Sequence, residues 1–193
     1  MNTFEDAMGN VRAAFRLLYA FNERIISLMK YIEKAFDMSL VGENSYCGGL
    51  PLRGKININK KRGWSWLPLY YYEFCFAKEN IQMSVFLQCD TGSWEGEVDW
   101  DEVDSYSGIQ ESKTKLLFAI RKDEENSTCF GTEEDFASML GEEDEVTSAD
   151  GKRFYKSFDL VRFKDENETI RALKEFVAFA KEQGVRDIDF IDN

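Results

Sequence analysis

Leu69-Tyr70-Tyr71-Tyr72-Glu73-Phe74-Cys75-Phe76-Ala77-Lys78-Glu79-Asn80-Ile81-Gln82-Met83-Ser84-Val85-Phe86-Leu87-Gln88-Cys89-Asp90 is the stretch that decides the fold class. Tyr70, Tyr72, Phe74 and Phe76 alternate with Leu69, Tyr71, Glu73 and Cys75. Ile81, Met83, Val85, Leu87 and Cys89 alternate with Gln82, Ser84, Phe86 and Gln88. Period-two alternation rich in aromatic and apolar residues predicts two strands, over 69–77 and 81–90. Lys78-Glu79-Asn80 is too short for anything but a hairpin turn, so the strands are expected to be antiparallel neighbours.

Further strands are predicted at 54–57, 95–103, 115–121 and 153–163, the last after the turn signal Asp150-Gly151. Residues 135–140 suit a short helix. Before the strands, Phe4, Met8, Val11, Phe15, Leu18, Asn22, Ile25, Met29, Ile32 and Phe36 recur in alternating steps of four and three. A second line, Ala7, Ala14, Phe21, Leu28 and Ala35, runs beside them. This predicts one helix over 3–38, about 54 Å long, with Gly42 helping to end it. The helix either lies across the sheet, broken near Asn22, or packs part of its seam on another chain. Residues 169–183 form a closing amphipathic helix, with Ile170, Leu173, Phe176, Val177 and Ala180 on one face and Gly184 past its end.

Strands do not alternate with helices, so the expected class is α+β: a mainly antiparallel sheet of five or six strands with both helices packed on one face. A single domain spans 1–193, divided into an N-terminal helix (1–40), a sheet region (45–163) holding an acidic segment (95–150), and a C-terminal helix (168–184). No apolar run approaches the length of a membrane-spanning helix.

The residue inventory excludes much chemistry. The chain has 193 residues and no histidine, which removes Ser-His-Asp and Cys-His nucleophile systems and every His-bearing zinc site. Cys47, Cys75, Cys89 and Cys129 form no C-x-x-C pair and read as small buried hydrophobes. The first residues lack the basic-then-apolar pattern of an export signal, so reduced thiols and a cytoplasmic setting are expected. No Gly-rich phosphate loop follows a strand, and no cofactor is expected.

Net charge is −12, and its distribution is uneven. Residues 95–150 carry 4 basic and 18 acidic side chains, net −14, while the remainder is close to neutral. Alternation places Glu95, Glu97, Asp99 and Asp101 on one strand face, spread over about 20 Å, with Trp94, Val98 and Trp100 opposite. Such a row is tolerated where it is wet, or where a basic partner or a metal neutralises it. As an EF-hand loop starting at Asp99 it fails, because the sixth position is Asp104 and not Gly. Glu142-Glu143-Asp144-Glu145 reads as a solvated loop. Lys60-Lys61-Arg62-Gly63-Trp64-Ser65-Trp66 pairs cations with stacking rings, a combination that serves single-stranded nucleic acid, or that would bind the acidic strand of a second copy in a head-to-tail assembly. Glu111-Ser112-Lys113, with Asp90 or Asp104 upstream, matches the Glu-x-Lys part of a magnesium nuclease site, a triplet this composition also produces by chance.

The expectation is a non-enzymatic binding protein: an inhibitor, an immunity- or antitoxin-like factor, or a regulatory subunit. Its partner is a protein with a basic surface, met by Glu95, Glu97, Asp99, Asp101, Trp64 and Trp66. Nucleic acid and membrane are not expected as partners, no catalytic or metal-binding residues are assigned, and self-association would run through residues 3–38. The alternative is a divalent-metal-dependent nuclease or other carboxylate-based hydrolase.

Overall fold

The computed structural model describes residues 4–45, 71–79, 81–93, 106, 108–121, 143–148 and 150–191. The first element, α1 (Phe4–Ala35), is one unbroken helix, with Glu5 and Asp6 in its first turn and Lys34 in its last, each suited to the helix dipole. It is not broken at Asn22. Nor does Gly42 end it. The amide of Met38 donates to Glu33 O (3.0 Å) and that of Asp37 to Lys34 O (3.2 Å), while Asp37 takes a left-handed φ of 51°. An aspartate thus fills the place glycine usually takes in this cap. The chain then enters β1 (Ser39–Ser45), a strand the sequence did not announce, and Gly42 sits at its bulge.

Next come β2 (Tyr71–Lys78) and β3 (Ile81–Gln88), paired antiparallel from Lys78↔Ile81 to Tyr71↔Gln88. Glu79 at φ 51° helps turn the hairpin. The sheet continues with β4 (Lys115–Arg121), β5 (Glu145–Thr147) and β6 (Arg153–Asp159). Strand order is β1-β2-β3-β4-β6-β5, antiparallel throughout. Gly151, at φ 67°, turns the β5–β6 connection, where Ser148 Oγ donates to Asp150 (2.5 Å). The strand expected over 153–163 stops at Asp159, and Leu160–Phe163 coils into a 3₁₀ turn. The final helix, α2 (Glu166–Glu182), starts earlier than its apolar pattern because the Asp165 carboxylate caps it, accepting from the Glu168 amide at 2.9 Å.

Both helices contribute to one core with one face of the sheet. Ile25, Met29 and Ile32 of α1 and Leu173, Phe176 and Ala180 of α2 meet Phe74, Phe76, Met83, Val85, Leu87, Leu116, Phe118 and Ile120. At its centre, Phe118 packs against Phe176, Phe158 and Phe163 at ring separations of 4.9, 5.7 and 6.0 Å. The tail closes the structure: Ile188 is buried, Phe190 packs edge-on to Phe36, and the Ile191 amide donates to Ala35 O at 2.8 Å. The structure is therefore α+β, with a long N-terminal helix, a C-terminal helix and a six-stranded antiparallel sheet. Among the described residues no helix is long and apolar enough to cross a membrane.

Candidate interaction surface

Only the C-terminal part of α1 belongs to the core. Burial begins at Ile25, whereas from Phe4 to Ala20 every residue but Gly9 and Leu18 is exposed. The exposed part is about 25 Å of helix. It carries the apolar seam with it: Phe4 is 78% exposed, Phe15 65% and Val11 44%. Scattered apolar residues on a surface are ordinary, but a periodic line of them along one helix face is not.

Where α1 meets the body, its seam runs into a groove of about 750 Å³. Phe21, Ile25 and Leu28 of α1 line one side, and Leu160, Val161 and Phe163 of the 3₁₀ turn line the other. Val161 stands 65% exposed. Arg24 spans the gap, donating from its guanidinium to Lys164 O at 2.5 Å. Lys113 pairs with Asp159 at 3.4 Å, and both line the groove. Volume, apolar lining and charged margin suit a segment of another macromolecule laid into the groove, the helix-in-groove mode of recognition. The sequence held half of this signal, in the Phe21 and Leu28 line. The other half was hidden because Leu160 and Val161 read as the end of a strand.

The second acidic patch is not a free loop. Glu145 opens the edge strand β5, and Asp144 accepts from the Ser157 hydroxyl at 2.9 Å and lies 3.6 Å from Lys115 Nζ. Lys156, from the core face of β6, bonds Glu145 and reaches Glu175 at 3.2 Å, while Arg162 holds the other Glu175 oxygen at 3.0 Å. The Lys156 ammonium also lies over the rings of Phe179 and Phe158, at 5.3 and 5.6 Å. Burial opposes the charge on Lys156, but the hydrogen bonds and charges of Glu145 and Glu175 outweigh it and raise its pKa. Burial likewise opposes ionisation of Glu175, and Arg162 with Lys156 outweighs it, holding that carboxyl below its ordinary range. These acids are matched by cations of the fold, so at this edge the negative charge is largely spent within the molecule.

The sheet face away from the helices is buried and unusually polar, with Glu73, Ser84, Gln88, Lys115, Arg121 and Ser157 among its side chains. Ser84 donates to Glu73 across β2 and β3 at 2.6 Å. Nothing in the alternation of the strands signalled that both faces would be covered.

Glu95, Glu97, Asp99 and Asp101 lie outside the described residues, as do Trp64, Trp66 and the rest of 60–66. So do the strands expected at 54–57 and 95–103, the helix expected at 135–140, Cys47 and Cys129. Cys75 and Cys89 form no disulfide among the described residues, and burial pushes the Cys89 thiol up to about 12. Glu111 is exposed in the turn before β4 and Lys113 follows it, while Asp90 turns inward on its own loop to accept from the Gly92 amide at 2.9 Å. Asp104 is outside the described residues. Among the described residues no group of three or more Cys, Asp or Glu side chains is placed to hold a metal ion.

The model of the family described as PM0109 matches residues 1–187, and the chain belongs to that family. No curated protein and no solved structure matches it.

Proposed function

We propose that this member of the PM0109 family is a non-enzymatic binding protein that engages a partner protein with a basic surface through an acidic surface of its own. The observation that carries the reading is the groove of about 750 Å³ between α1 and the Leu160–Phe163 turn, apolar inside and charged at its margin. An apolar segment of the partner is anchored there. The partner's basic character follows from charge: the chain is −12, and its surplus acids are concentrated in 95–150. Asp144 and Glu145 are neutralised within the fold, so the steering charge is assigned to Glu95, Glu97, Asp99 and Asp101. Trp64 and Trp66 are the proposed aromatic contacts. Charge of this kind raises the rate of encounter and selects partners more than it tightens the final complex. A protein built this way acts by occupying a surface, as an inhibitor, an immunity- or antitoxin-like factor or a regulatory subunit does.

Affinity capture from the native cell at low salt, eluted with rising salt, supplies the partner, and two variants test the reading on it. Val161→Lys with Leu28→Lys puts charge into the groove and is expected to speed dissociation. Replacing Glu95, Glu97, Asp99 and Asp101 with Lys is expected to slow association and flatten its salt dependence. Binding that survives both sets of changes, or that ignores ionic strength, overturns the proposal.

A further inference from the structure

The exposed arm of α1 is not used by the groove, and its sequence specifies an occupant. Set in a heptad, Phe4, Val11 and Leu18 fall at d, and Met8, Phe15 and Asn22 at a. The two flanks of this seam differ. One holds Glu5 and Arg12 at successive e positions, and the other holds Ala7 and Ala14 at successive g positions. We infer that the arm pairs with the arm of a second copy, antiparallel, about a two-fold axis between Gly9 and Asn10.

In that alignment Phe4 of one copy faces Phe15 of the other, and Met8 faces Val11. In an antiparallel pair e faces e and g faces g. Glu5 therefore lies beside Arg12 of the second copy, offset by about 3 Å along the axis, and the two-fold makes the pair twice. On the other flank Ala7 lies beside Ala14 of the second copy, and these small side chains leave room for the phenylalanine rings. A parallel in-register pair gains none of this: g would face e, setting Ala7 against Arg12 and Ala14 against Tyr19. It would also bring the two sheet domains together at one end. In the antiparallel pair the first buried residues, Ile25 of each copy, stand about 45 Å apart along the axis.

The area is adequate for a modest dimer. Four phenylalanine rings bury about 150–250 Å² each when covered, and Met8, Val11 and Leu18 add to that, so the pair reaches the roughly 1,000 Å² that a specific interface requires.

Sedimentation equilibrium on the full chain over a range of concentrations tests the inference. The wild type is expected to show a reversible monomer–dimer equilibrium, lost in Met8→Glu while the circular dichroism melt of the diluted protein is unchanged. Glu5→Arg alone and Arg12→Glu alone each create two like-charge contacts and are expected to weaken the dimer roughly 5–30-fold. Mixed in equal amounts, these two variants are expected to form a heterodimer as tight as the wild type, because each then supplies the charge the other needs. A parallel dimer does not show this rescue. A chain that stays monomeric at millimolar concentration, a dimer that survives Met8→Glu, or a mixture with no rescue overturns the inference. So does an arm covered by another segment of its own chain or by a copurifying protein.

Discussion

Gln88 shows how much one side chain can cost. Its carboxamide is fully buried on the polar face of the sheet, and neither its oxygen nor its nitrogen has a hydrogen-bond partner among the described residues. A buried amide without partners carries its desolvation penalty uncompensated, whereas an apolar group of similar shape carries none. Gln88→Met is therefore expected to stabilise the fold by about 1 kcal/mol, read as a higher urea midpoint with an unchanged slope. If the midpoint falls, the carboxamide has a role in holding the sheet together. The neighbouring Cys89 gives a second check. With its thiol pushed up to about 12 by burial, it holds almost no thiolate at pH 8 and is expected to resist iodoacetamide until the chain is unfolded. The sequence reading put Cys89 in a strand as a small buried hydrophobe; β3 stops one residue earlier, at Gln88, and Cys89 packs partly buried against the core.

The elements divide by how their ends are specified. Interiors were legible from periodicity: the β2–β3 hairpin, β4 and the body of α2 fall where alternation or a 3.6-residue spacing puts them. Ends were not, because they depend on single polar residues. Asp165 starts α2 ahead of its apolar pattern, and Asp37 ends α1 without glycine. Asp165→Ala is expected to cost about 1 kcal/mol, seen as a lowered thermal midpoint. Strand β5 was illegible because four consecutive acids read as solvent, and only Lys156 and Lys115, distant in sequence, make a strand edge there tolerable. That arrangement has a pH signature. A carboxyl whose folded pKa is depressed, as that of Glu175 is, stabilises the fold above its ordinary value near 4.5, and this contribution is lost as the pH falls through the folded value. Lys156 is raised instead, so its contribution is complete below its ordinary value near 10.5 and is lost as the pH climbs through the folded one. Glu175→Gln is expected to flatten the fall in urea midpoint below about pH 4.5 and leave the neutral plateau lower. An acid limb as steep as that of the wild type removes Glu175 as its cause.

At the scale of the whole molecule, α1 divides into an exposed arm and a part that packs in the core. Its length and seam were legible in the sequence; which part of the seam faces the chain's own core was not, since seam residues look alike whether they meet a sheet or another helix. The boundary at Ile25 is set by how far the sheet extends beneath the helix, a tertiary quantity with no local signature. A consequence can be measured. Side chains before Phe21 add nothing to the core cluster, so removing residues 1–18 is expected to change stability by less than about 1 kcal/mol when wild type and truncated chain are both dilute. At high concentration they should part company. Association stabilises only the folded chain that can associate, so the wild-type melting temperature is expected to climb with protein concentration while the truncated chain's stays level. A large loss of stability in dilute solution would mean that the arm supports its own fold after all, and equal concentration dependence in both would place self-association somewhere other than this helix.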